Sequence, residues 1–258
     1  MAFMPLVKSV SDRHGALVHD AAYSAFESDL GHATLEVYER YAVEVVEHFG
    51  FCPWARSSRE SGHVELRVVF SADPDDFDAS LRLLGELCER AEPTDIALFI
   101  YPLLDLDRLA FEDYARRLRT HADAARPKLD AYAMAAFHPS ADVDLSHPDR
   151  LVPYVRRSPD PTLQLVKKSA LSAIKGLAQG TAFLDVSALS LDALTSLREP
   201  PPKAVRERIA EQNLATVQGV GPAAIDAVLT DIAKNREALH EKLLTRHGLR
   251  GPRRSNPG

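Results

Sequence analysis

Residues 33–49, ATLEVYERYAVEVVEHF, repeat their apolar positions at helical spacing, with Leu35, Tyr38, Ala42, Val45, Val46 and Phe49 on one face. Gly50 ends that helix, because glycine accepts the left-handed backbone of a helix stop. A short second helix is predicted over 53–60, with Pro53 at its first position and Gly62 after it. Three β-like runs follow, HVELRVVF (63–70), DIALFIYPLL (95–104) and LDAYAMAAFHP (129–139). Helical runs at 75–91 and 108–125 separate them. Strands alternating with helices need crossover connections, which favours parallel pairing. The expected fold class is therefore α/β, with a largely parallel or mixed sheet and packed helices.

The pattern then changes. Residues 140–162 are rich in Pro, Asp and Ser and read as a long ordered loop. Residues 163–178 read as a helix, and LREPPPK (197–203) as a break. Helices are expected at 203–217 and 222–245, split by Gly219-Val220-Gly221-Pro222. The predicted organisation is a loose arm at 1–30, an α/β core at 31–197, a helical C-terminal extension at 198–247 and a disordered tail at 248–258. Cys88 falls on the apolar stripe of helix 75–91 and is expected to be plain core.

With 258 residues the chain can bury one substantial core. Its net charge of −6 supplies no general attraction for nucleic acid or anionic lipid. The two cysteines lie far apart without CxxC spacing, which argues against a disulfide scaffold and against a zinc knuckle and points to a reducing cytoplasm. The first residues lack the basic start and long apolar run of a signal peptide. No run approaches the roughly 18 apolar residues of a spanning helix, so no membrane association is expected. GxxxxGK[ST] and GxGxxG motifs are absent, which argues against a classical nucleotide enzyme.

Candidate chemistry gathers at a few points. Cys52 precedes Pro53 at a predicted helix start, where unpaired N–H groups and the helix dipole favour thiolate. Arg56, one turn on, adds charge. The competing reading is a small apolar cap beside Phe51 and Trp54. Ligands of open parallel sheets bind beyond the carboxyl ends of the strands. His138 ends the third strand, and Asp105 and Asp107 follow the second. His138 is a candidate base or metal ligand, or a histidine satisfied by a backbone carbonyl. In Tyr154-Val155-Arg156-Arg157-Ser158-Pro159-Asp160-Pro161-Thr162, two arginines beside hydroxyl groups form a candidate anion cradle at the start of helix 163–178. The competing reading is a surface turn capped by Asp160 or Thr162. A metal site of Cys52, His138 and Asp105 or Asp107 lacks ligand spacing within any motif, and a Cys-Pro pair is poor ground for haem. No cofactor is assigned.

FCPWAR…GHVELRV, AFHP and YVRRSPDPTLQLV occur in that order. Together they resemble an uncharacterised bacterial family, domain of unknown function 1415, over residues 35–175. The resemblance marks Cys52, Pro53, Phe137, His138, Pro139, Tyr154, Arg157, Ser158, Pro159 and Pro161. The chain departs from the pattern at Trp54 and Arg56, where the family has Phe and Lys, and at Val155-Arg156, where it has Thr-Asn. A shared fold and a shared site are implied, but no activity.

The expected function is that of a thiol-dependent enzyme of unassigned reaction acting on a small anionic substrate. Its catalytic residues would be Cys52 and His138, with Arg56, Tyr154, Arg157 and Ser158 binding substrate. The alternative rests on LATVQGVGPAAIDAVLTDI (214–232), which resembles a helix-hairpin-helix element that would meet nucleic acid or dock a partner. Its second helix lacks early Lys or Arg and carries Asp226 and Asp231, so nucleic acid is not expected. Oligomeric state is not assigned.

Overall fold

The structure is a computed structural model that describes residues 21–89, 94–125, 127–169 and 205–249. Helix α1 (Ala21–Tyr41) continues into a π-helix (Ala42–Glu47), and α2 (Ala55–Glu60) follows. Next come β1 (Val64–Val68), α3 (Asp78–Glu89), β2 (Ile96–Ile100) and α4 (Arg108–Ala125). A 3₁₀ turn (Pro127–Ala131) leads into β3 (Tyr132–Phe137), α5 (Pro148–Val155) and β4 (Thr162–Lys167). Helices α6 (Val205–Val220) and α7 (Pro222–Arg246) form the C-terminal hairpin.

The four strands lie in the order β1-β2-β4-β3. β1 and β2 pair in parallel, and β4 is antiparallel to both β2 and β3. The expected mixed α/β sheet is therefore present, with one change. The segment read as the helix 163–178 begins as strand β4, inserted between β2 and β3. Leu163 and Leu165 are fully buried on one face and Thr162 and Val166 are buried on the other. A central strand covered on both sides loses the simple alternation that marks a half-exposed strand. The remainder of that predicted helix, from residue 170, lies outside the described residues, as do residues 1–20, the 197–203 break and the tail from 250.

Two helical layers sandwich the sheet. Ala97, Phe99, Leu163 and Leu165 pack with α3 and α4 through Leu84, Phe111, Tyr114 and Leu118. Cys88 sits partly buried against this cluster, as expected. Ile96, Leu98 and Ile100 face Val37, Tyr38 and Tyr41 of α1, Leu151 and Tyr154 of α5, Val217 of α6, and Ile225 and Ile232 of α7. The hairpin thus places Val217, Ile225 and Ile232 inside the core of the chain. Helix α1 starts at Ala21, inside the segment read as a loose arm, because Phe26, Leu30 and Ala33 pack with Leu243 of α7. Among the described residues no helix is long and apolar enough to cross a membrane.

The carboxyl ends of β1, β2 and β3 and the start of β4 share one edge of the sheet. Gly62, at φ 73°, lets α2 turn straight back into β1, so the residues before α2 lie towards that edge. Segment 140–162, read as loop, contains α5. His147 caps it, with Nδ1 accepting from the Asp149 N–H at 3.2 Å.

Candidate functional site

The π-helix carries the chain into the cysteine turn. Bonds from His48 N–H to the Val43 carbonyl (3.1 Å) and from Phe51 N–H to the Val46 carbonyl (3.0 Å) span five residues. Such turns gather at functional sites. Gly50, at φ 68°, then reverses the chain and Phe51 is buried. Helix α2 begins at Ala55, two residues later than expected, with Trp54 as N-cap. Cys52 therefore sits in the preceding turn. Its sulfur receives backbone N–H groups from Trp54 and Ala55, yet burial dominates and pushes the thiol pKa up to about 11. This reverses the expected direction: the thiol is protonated at neutral pH. Arg56 does not assist it. Arg56 is 3.4 Å from Glu47, as a minor partner to Arg59, which bonds the same carboxylate at 2.5 and 3.0 Å. Together they staple α2 to the π-helix.

His138 is buried, with both ring nitrogens engaged. Nε2 donates to the Leu106 carbonyl at 2.9 Å, and Nδ1 accepts from the Ser140 N–H at 3.1 Å. Its backbone N–H donates to the Arg156 carbonyl at 3.1 Å. This is the satisfied-histidine alternative, and in this arrangement neither nitrogen is available as a base. No hydrogen bond joins His138 to Cys52 among the described residues. Asp107 caps α4 by accepting the Ala110 N–H at 2.8 Å, and no metal-ligand cluster occurs among the described residues.

The arginine segment lies at the C-terminus of α5, not at the start of a helix, since β4 follows it. Cations are favoured there by the helix dipole. Ser158 donates its hydroxyl to the Asp160 carbonyl at 2.6 Å, and Thr162 donates to the same oxygen at 2.9 Å. Ser158 thus shapes the turn and does not point outward. Arg157 bonds Asp226 of α7 at 2.5 Å and the Pro139 carbonyl at 3.3 Å. The Tyr154 hydroxyl is 3.1 Å from the same Asp226 oxygen and 3.2 Å from the Pro222 carbonyl oxygen.

Arg156, the other arginine of the expected anion cradle, is different. Its guanidinium lies 5.6 Å from the centre of the Phe137 ring and lines a narrow cleft with Arg108, Glu112, Ala136, His138 and Pro153. Glu112 is committed to Arg108 at 2.5 Å, and no carboxylate among the described residues pairs with Arg156. Burial, with Arg206 nearby, lowers its pKa below the usual value. The Tyr41 hydroxyl and the Trp54 indole nitrogen are also buried without a partner. Burial raises the Tyr41 pKa well above the usual value, and the positive charges of Arg156 and Arg157 oppose the shift. The sequence signal for Arg156 was its departure from the family pattern.

Residues 34–182 match the model of a family described as protein of unknown function (DUF1415). The chain belongs to that family. No curated protein and no solved structure matches it. In this DUF1415 chain the matched segment holds the cysteine turn, His138 and the arginine segment, whereas α6 and α7 lie beyond it.

Proposed function

We propose that the chain binds a small anionic molecule between the cysteine turn and Arg156, against a protonated Cys52 thiol. The observation that carries this reading is the half-buried Arg156 guanidinium, set 5.6 Å from the centre of the Phe137 ring with no carboxylate partner among the described residues, and the Tyr41 hydroxyl is a second buried group without an acceptor. Buried charges and hydroxyls normally have partners, because leaving them unpaired costs free energy. An anion accepting from both would relieve that cost. The hairpin reading has less support. Its turn, Gln218-Gly219-Val220-Gly221-Pro222, offers no cationic side chain to a phosphate, and Asp226 and Asp231 are engaged by Arg157 and Arg40.

Calorimetric titration with inorganic phosphate and with succinate tests the proposal. At least one of the two binds the wild-type chain, and Arg156→Ala abolishes that binding. Tyr41→Phe separates function from stability. Removing a buried, unpaired hydroxyl leaves the free protein as stable or more stable by about 1 kcal/mol, yet weakens anion binding. Undiminished binding by Arg156→Ala would refute the reading.

A further inference from the structure

The Arg157–Tyr154 pair already holds a carboxylate, and that carboxylate comes from outside the family segment. Arg157 Nη1 and the Tyr154 hydroxyl converge on one oxygen of Asp226, at 2.5 and 3.1 Å. The guanidinium is aimed by two further features: Nε donates to the Pro139 carbonyl at 3.3 Å, and its central carbon lies 5.4 Å from the centre of the Tyr154 ring. Arg157 and Tyr154 fall within the matched residues 34–182, and Asp226 does not. The Asp226 side chain is 42% exposed, so an anion from solvent can reach the position it occupies.

Helix α7 does not need Asp226 to stay in place. Arg236 bonds the buried Asp160 at 2.5 Å, and Asp231 bonds Arg40 at 2.8 Å. Arg246 and His247 both bond Asp29 at 3.0 Å. Ile225 and Ile232 are fully buried in the shared core. Rotation of one exposed carboxylate would uncover Arg157 while the helix stays docked.

We propose that Asp226 is an internal competitor, standing in for a carboxylate of the ligand on Arg157 and Tyr154. The ligand is then a small dianion, with one carboxylate on Arg157 and a second anionic group on the neighbouring Arg156. This inference rests on the reading of Arg156 as an anion anchor. It adds a ligand class and a built-in restraint on affinity, because a site filled by its own side chain binds only through the fraction that is open.

The test is calorimetric titration with succinate and with acetate on the full chain. Asp226→Asn binds succinate about tenfold more tightly than wild type, since the competing charge is gone. Acetate gains less, having only one anionic group. Adding Arg157→Met to Asp226→Asn cancels the gain, and thermal melting of each variant confirms that it is folded. Asp226→Ser provides a second variant that removes the charge. If Asp226→Asn and Asp226→Ser bind succinate no better than wild type while Arg156→Ala still loses binding, the competitor falls and the Arg156 reading stands. If neither succinate nor phosphate binds any variant, both fall.

Discussion

Replacing Arg236 with methionine costs ~3–5 kcal/mol of stability at neutral pH, the scale expected when a buried ion pair loses one partner. Asp160 is 1% exposed at the turn before β4, and only one of its carboxylate oxygens is bonded, by Arg236 at 2.5 Å. Arg236 also donates to the Pro102 carbonyl at 3.3 Å, so it joins α7 to two ends of the sheet. His240, one turn further along α7, cannot replace the lost charge. Burial first, and then Arg236, lowers its pKa to about 4, leaving it neutral.

The pH dependence has a definite sign. Burial raises the folded-state pKa of Asp160 from 3.8, although Arg236 opposes the shift. The folded chain therefore keeps this proton to higher pH than the unfolded chain, and its contribution to stability falls as pH rises through that window. Removing Arg236 extends the window upward. Urea denaturation should show a larger penalty for Arg236→Met at pH 7.5 than at pH 4.5, and adding Asp160→Asn should recover most of it. A penalty independent of pH would contradict the assignment.

His138→Ala should cost ~2–6 kcal/mol, because it strands the Leu106 carbonyl and the Ser140 N–H, each worth about 1–3 kcal/mol when left unpaired. The imidazole ties the loop after β2 to the loop after β3 through its 2.9 Å bond to the Leu106 carbonyl, and the 3.1 Å bond from the Ser140 N–H orients the ring within the second loop. A structural tie and a catalytic base give different results. If His138 is a tie, thermal melting shifts and the pH midpoint of Cys52 alkylation does not. A stable variant with a displaced thiol midpoint would restore the base.

Much of the fold was legible because local signals agreed with the tertiary outcome. Gly50 and Gly62 occupy the positive φ values that their positions implied. The periodicity of 108–125 matches α4 residue for residue. β4 was not legible, since strong helix formers follow it and its central place buries both faces. The sequence named candidate residues, but their local contacts were not legible in it. Pro53 marked a helix start, yet α2 begins at Ala55, and burial outweighs the two N–H groups on the Cys52 sulfur. Arg157 stood out through the family motif, but its carboxylate partner lies 69 positions away, on a helix the motif does not cover. Arg156 was marked with Arg157 as one arm of an anion cradle, but only the structure separates the two, pairing Arg157 with Asp226 and leaving Arg156 without a carboxylate among the described residues.

The central claim is that an anion held at Arg156 lies against Cys52. It is tested by alkylating a Cys88→Ala protein, in which Cys52 is the only thiol, with iodoacetate and with neutral iodoacetamide. The account predicts that folding favours iodoacetate over iodoacetamide by about tenfold relative to the same chain unfolded in urea. It also predicts that Arg156→Ala removes this preference. An identical ratio in the folded, unfolded and Arg156→Ala proteins would contradict it.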